Sequence, residues 1–185
     1  MEKSPRKAIY PGSFDQATST LPISDEQIEE WKQTALDGGI IFPSASSPCP
    51  YKITSATTIG PKKIACNLEI SGNNYTITLN GNLWVEGNID IKNSPTIEVA
   101  SSLGSKGVAI VADKPSDPNN SGIILLQNSA IFEGSGTTDS HVMFISQNRS
   151  AESGGSMVAI DVKNTVSGDL LVYAGHGEIL LQNSI

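Results

Sequence analysis

Five short segments of this chain follow one template: "LEISG" (68–72), "IDIKN" (89–93), "ILLQN" (124–128), "IDVKN" (160–164) and "ILLQN" (179–183). Each reads apolar, variable, apolar, polar, then Asn or Gly. Strict alternation buries one face of a strand, and Asn and Gly are the residues that most readily take a left-handed backbone. Every segment therefore predicts a half-buried strand ending at a fixed corner. The corner residues Gly72, Asn93, Asn128, Asn164 and Asn183 are separated by 21, 35, 36 and 19 residues. Intervals near 20 suit one coil of a β-solenoid. The two longer ones contain "SSLGSKG", "DKPSDPNNSG", "GSGTTDS" and "QNRSAESGGS", turn-rich stretches expected to bulge from a coil of ordinary size.

Two further strands fit each coil. A second set comprises "YTITL" (75–79), "TIEV" (96–99), "AIFE" (130–133) and a short piece near Val166. A third comprises "LWVEG" (83–87), "AIVAD" (109–113), "MFISQ" (143–147) and "LVYAG" (171–175). The expected fold is thus all-β: a right-handed parallel β-helix with three strands per coil, about four to five coils, and one capping α-helix. Stacking places Leu68, Ile89, Ile124, Ile160 and Ile179 in one interior column, and Ile70, Ile91, Leu126, Val162 and Leu181 in a second. Each buried aliphatic side chain contributes roughly 1.5–3 kcal/mol, so no coil is stable without its neighbours. The corner residues stack as well, at about 4.8 Å, which predicts a structural ladder of side-chain amides.

In the third set, Leu83, Ala109, Met143 and Leu171 alternate with Trp84, Ile110, Phe144 and Val172, making both faces apolar. Such a wall needs a cover. The helix expected after Pro22 supplies one. Ser24 is a good N-cap, Gln27 sits where a capping box places it, Ile23 can meet Ile28 as a staple, and Gly38-Gly39 stop the helix. Ile28, Trp31 and Ala35 share one face, which docks either on this wall or over the N-terminal mouth of the coil. Residues 1–22 read as a linker, 23–62 as helix and connection, and 63–185 as the β-helix. The last coil is unfinished at Ile185, which predicts continuation or pairing with a partner.

The 185 residues carry a formal charge of −7, without the clustered Lys and Arg that nucleic-acid or anionic-membrane binding needs. No apolar run reaches 18 residues, so neither a membrane span nor a signal peptide is visible. Cys49 and Cys66 are the only cysteines; they permit one disulfide and equally allow two reduced thiols.

"YPGSFD" (10–15) resembles the opening of the phosphopantetheine adenylyltransferases, but "QATST" follows, without the Gly-His pair that holds nucleotide phosphates in that family. A broader resemblance rests on "LPISDEQIEEWK" (21–32), "CPYKI" (49–53), "GPKKIACNLEI" (60–70), "LNGNLWVEGNIDI" (79–91), "GSGTTDSHVMFIS" (134–146) and "LLVYAGHGEILLQNS" (170–184). Together these are similar to a group of largely uncharacterised bacterial proteins with a prepilin-like or PilX-like membrane segment ahead of a β-helix. The resemblance implies a surface-exposed or pilus-associated module whose β-helix continues further. It places such a chain outside the cell or on its surface, although the hydrophobic leader of that pattern is not seen here.

Parallel β-helices commonly house polysaccharide lyases and hydrolases, which makes a carbohydrate-active enzyme the competing expectation. Its best catalytic residues are Glu69 and Asp90, stacked near the separation of a retaining carboxylate pair, with Asp161 in the same column. Lys92 and Lys163 can neutralise that column, and Leu125 and Leu180 interrupt it, which favours a solvated ladder. Asp113, Asp117 and Asn119 offer oxygen ligands for calcium, but their spacing fails the EF-hand pattern and a surface loop is preferred. His141 and His176 have no Cys or His partner at metal-ligand spacing. No cofactor is expected. The reading is a non-catalytic stalk, adhesin or pilus-associated module, with surface glycans or surface proteins as partners. A self-assembling module like the bactofilins is the third alternative.

Overall fold

A computed structural model describes residues 21–182 of the chain. The lead-in, including the Tyr10–Asp15 motif, and the corner residue Asn183 lie outside the described residues. The one α-helix among the described residues, α1, spans Asp25–Asp37. It starts as its sequence dictates: the Ser24 side-chain oxygen accepts the Gln27 backbone N–H at 3.2 Å, and Asp25 and Glu26 occupy the positive first turn. The reciprocal half of the capping box is not formed, because the Gln27 amide donates to Glu30 at 3.1 Å instead. Gly39, at φ 103°, breaks the helix.

The strands that follow are β1 (Ile40–Ile41), β2 (Tyr51–Ile53), β3 (Thr57–Ile59), β4 (Lys62–Ile64), β5 (Leu68–Leu79), β6 (Leu83–Val85), β7 (Ile89–Val99) and β8 (Val108–Ala112). After them come β9 (Ile124–Leu126), β10 (Ile131–Glu133), β11 (Val142–Ser146), β12 (Val158–Lys163), β13 (Ser167–Gly168), β14 (Leu170–Ala174) and β15 (Glu178–Gln182). All their pairings are parallel. They form two sheets, one running β1-β4-β6-β8-β11-β14 and one built on β5, β7, β9, β10, β12, β13 and β15, with β2 and β3 both paired to β5. Among the described residues pairing starts at Ile40, so the connection assigned from sequence to the cap already contributes three strands to the sheets.

The two predicted interior columns are present. Leu68 pairs with Ile89, Ile89 with Ile124, Ile124 with Ile160 and Ile160 with Ile179. Ile70, Ile91, Leu126, Val162 and Leu181 are level in the same way. From Leu68 to Val162 these side chains are buried, and only Ile179 and Leu181 on the last strand are exposed. Both sheets contribute to this core, and Phe132 of one meets Phe144 of the other edge to face, ring centroids 5.3 Å apart.

The first and second strand sets behave differently from expectation at two corners. Gly72 and Asn93 do not end their strands: β5 and β7 run through the bend with only a register irregularity between Asn73 and Thr76. Gly72 takes φ 145° there, and a Cβ at that position would lie 2.4 Å from the Tyr75 ring, so only glycine fits. Asn93, Asn128 and Asn164 have φ of 71°, 61° and 51°, the left-handed corners that the template predicts.

The third set needs a correction of one residue. Leu83 is level with Ile110, not Ala109, and Trp84 with Val111. Leu83, Ile110, Phe144 and Val172 therefore point into the core, while Trp84, Val111, Ile145 and Tyr173 form the outer face. A one-residue slip exchanges the faces of a strand, and where both faces are apolar the alternation gives no signal to prevent it.

Candidate functional site

Helix α1 lies on the outer face of the first sheet, packed along β4, β6 and β8. Ile28 is buried with Ala109, Val111 and Ile145, and Ile23, Trp31, Met143 and Tyr173 close around them. Of the two expected docking places, the wall is the occupied one. A polar clamp holds the helix there. Lys32, only 5% exposed, extends its ammonium to Asp113 at 2.6 Å and to Glu29 at 2.7 Å. Burial by itself disfavours the Lys32 charge, yet the Asp113 and Glu29 carboxylates outweigh it and hold the ammonium above its ordinary range. The Trp84 indole N–H donates to the Asp113 main-chain oxygen at 2.9 Å, and its ring lies under Lys63 at 3.8 Å and Lys32 at 4.8 Å. Asn82 completes the attachment by donating to Thr34 of the helix at 2.8 Å and accepting from the Ala109 backbone N–H at 3.0 Å.

Beside the clamp, between Trp31 and the loop before β8, runs a groove of about 520 Å³ lined by Leu103, Val108, Ala109, Met143 and His141. The His141 Nδ1 lies 2.9 Å from the Asp139 main-chain oxygen. Its Nε2 is buried with no hydrogen-bond partner among the described residues, as is the Gln147 Nε2. His176 contacts Glu152 at 2.6 Å through Nδ1, and its Nε2 lies 3.4 Å from Asp25.

The column of candidate carboxylates exists as a register, and lysines reach each of its acids. Glu69 is level with Asp90, then Leu125, Asp161 and Leu180. Lys92 lies 3.4 Å from Glu69 and 3.2 Å from Asp90, Lys52 lies 3.6 Å from Glu69, and Lys163 lies 2.8 Å from Asp161. Gln127 and Gln182 donate to Asp90 and Asp161 at 3.1 and 3.0 Å. Partial burial pushes Glu69 up, but Lys92 and Lys52 overcome it and hold the carboxyl below its usual range. A general acid needs a raised pKa, so this geometry opposes the role.

The long loops do not line one groove. Loop 101–107 stacks with loop 134–140, where Ser140 donates to the Lys106 oxygen at 2.9 Å; loop 113–122 stacks with 147–157, where Asn148 donates to the Ser121 oxygen at 2.7 Å. The two stacks flank opposite ends of β8 and β11. Asp113 is engaged by Lys32, Asp117 accepts from the Asn120 amide at 2.7 Å, and Asn119 accepts from Ser153 at 3.3 Å. Their oxygens thus serve three separate contacts. Among the described residues no three His, Cys, Asp or Glu side chains converge as metal ligands.

Of the corner residues, Asn164 donates its amide to the Asn128 oxygen at 2.8 Å. No such bond joins Asn93 to Asn128 among the described residues, and Gly72 has no amide to offer. Cys49 is exposed and Cys66 buried, both as thiols. The clamp is what sequence reasoning missed. Its signal was present, since Lys32 lies on the Ile28–Ala35 stripe, where a charge requires a buried partner. The chain matches no protein-family model, no curated protein and no solved structure.

Proposed function

We propose that this chain is a right-handed parallel β-helix acting as a non-catalytic structural or adhesive module, surface-exposed or pilus-associated. Register-aligned interior columns spanning five successive strands support a solenoid, and parallel crossover connections are overwhelmingly right-handed. The observation that carries the non-catalytic reading is the charge state of the outer column: each of Glu69, Asp90 and Asp161 is paired with lysine on an open wall. Carboxylates so neutralised, on a wall without a cleft, favour solubility of a stalk over acid–base chemistry. The Asn128–Asn164 contact supports an amide pairing at these two corners only. Surface glycans or surface proteins are the partners that fit an adhesive role. No described helix is long and apolar enough to cross a membrane.

The test is a polysaccharide panel assayed for turnover with the wild-type chain and with Asp90→Asn, alongside a glycan array. Turnover that Asp90→Asn abolishes would establish the carbohydrate-active reading instead. Concentration-dependent sedimentation separates the bactofilin-like alternative, which requires assembly at micromolar chain.

A further inference from the structure

Cys49 and Cys66 stand in corresponding positions just ahead of two paired strands. Tyr51 pairs with Leu68 in parallel register, the Tyr51 N–H donates to the Asn67 oxygen at 2.8 Å, and the two cysteines each lie two residues before that pair. Neighbouring strands are about 4.8 Å apart, inside the roughly 4.4–6.8 Å Cα separation that a disulfide accepts. The Cys66 thiol is 8% exposed and lies 3.3 Å from the Asn67 oxygen, whereas Cys49 is open to solvent. We propose that Cys49 and Cys66 form an intramolecular disulfide, with Cys49 the entry thiol and Cys66 the resolving thiol.

Burial, together with the adjoining Cys49 thiol, pushes Cys66 up to about 11. Cys66 is therefore a poor first nucleophile at neutral pH, and exposure independently gives the first step to Cys49. The oxidant is a disulfide donor of the glutathione class. The Cys49 thiolate attacks one donor sulfur, forming a mixed disulfide and releasing one donor thiolate. Cys66 then gives up its proton and attacks the Cys49 sulfur, displacing the second donor thiol. Two protein thiols and one donor disulfide become one protein disulfide and two donor thiols. The bond links the connection before β2 to the corner before β5. Because among the described residues β2 pairs with β5 alone, it fastens a sheet edge that there has one neighbour. The inference stands apart from the surface-module reading.

The full chain, reduced and then equilibrated with oxidised glutathione, is quenched by alkylation, weighed intact and mapped by peptides. The wild-type chain is expected to lose two hydrogen masses, resist alkylation and yield a Cys49–Cys66 linked peptide. Its melting temperature should exceed that of its reduced form by about 5 °C or more. Cys66→Ser should retain glutathione on Cys49, since nothing remains to displace it. Peptide mapping of the wild-type chain reads the same bond without any variant, should Cys66→Ser not fold. A wild-type chain that is alkylated at both positions, or that keeps glutathione on Cys49 as Cys66→Ser does, overturns the proposal. So does a dimer joined through Cys49.

Discussion

The two outer faces of the sheets solve the same problem in opposite ways. On the sheet carrying the outer column, residues between the buried positions include Lys52, Glu69, Asp90 and Asp161, which meet water, the carboxylates being neutralised by Lys52, Lys92 and Lys163. On the other sheet the equivalent positions are Trp84, Val111, Ile145 and Tyr173, which meet α1. The first wall is completed by solvent, the second by the chain itself. Charges on the first meet solvent, while Lys32, which the helix carries onto the second, is fixed by Asp113. Identical substitutions should therefore have unequal consequences on the two walls.

The largest contrast is expected from introducing lysine on each. Val111 is fully buried under the helix, so Val111→Lys places an unpaired charge and excess volume there and should cost more than about 4 kcal/mol, or prevent folding. Leu125 lies between Asp90 and Asp161 in the solvated column, and Leu125→Lys should change stability by no more than about 0.5 kcal/mol. Urea denaturation of both variants reads the difference. Equal costs would mean that the helix does not cover the wall.

Removing lysine gives the next contrast. Lys32→Ala leaves Asp113 buried without its partner and should cost about 3–4 kcal/mol, whereas Lys92→Ala should cost less than about 1 kcal/mol although Lys92 serves two carboxylates. The double variant Lys32→Met, Asp113→Leu should recover most of the loss, because it removes both charges and keeps the volume. Failure to recover in urea titrations would locate the cost in packing against Trp84 rather than in the orphaned carboxylate.

The walls also differ in how far the chain announced them. The solvated sheet was legible to the residue, because alternation separates Ile89 and Ile91 from Asp90 and Lys92, and the left-handed Asn93, Asn128 and Asn164 fix its phase. The covered sheet was legible as a wall but not in register: Leu83-Trp84-Val85 and Ala109-Ile110-Val111 are apolar at every position, so Leu83 fits against either Ala109 or Ile110. Only the packed helix and the level of Trp84 with Val111 decide it. The separate strand sets were blurred for a related reason, since Gly72 and Asn93 bend β5 and β7 without ending them. For the catalytic and metal candidates, spacing reveals which carboxylates stack, but not which lysine or amide reaches them.

At the corner, Asn164→Ala removes the amide donated to Asn128 and forces alanine into φ 51°, so it should cost about 1–2 kcal/mol. Asn164→Gly, which keeps the backbone but not the amide, should cost less. Equal losses in thermal unfolding of the two variants would assign the effect to the amide contact alone, and a negligible loss in Asn164→Gly would assign it to the backbone.

The smallest effect expected is the pH response of the solvated column, and its sign differs at the two ends of the scale. Glu69 is held below its usual range by Lys92 and Lys52, so its contribution is present above the unfolded carboxyl value and fades as acid takes the pH down through the folded one. Lys92 is held above its usual range, chiefly by its hydrogen bond to Asp90, so its contribution is present below about 10.5 and fades as alkali carries the pH through the folded value. Near neutrality both are complete and the column adds no slope. Glu69→Gln should flatten the acid limb of a stability–pH curve and leave the alkaline limb partly intact through Asp90, with salt weakening both. An acid limb unchanged in Glu69→Gln would mean that the Glu69 carboxylate contributes nothing to the fold, and that Lys92 and Lys52 meet it there only as solubilising charge.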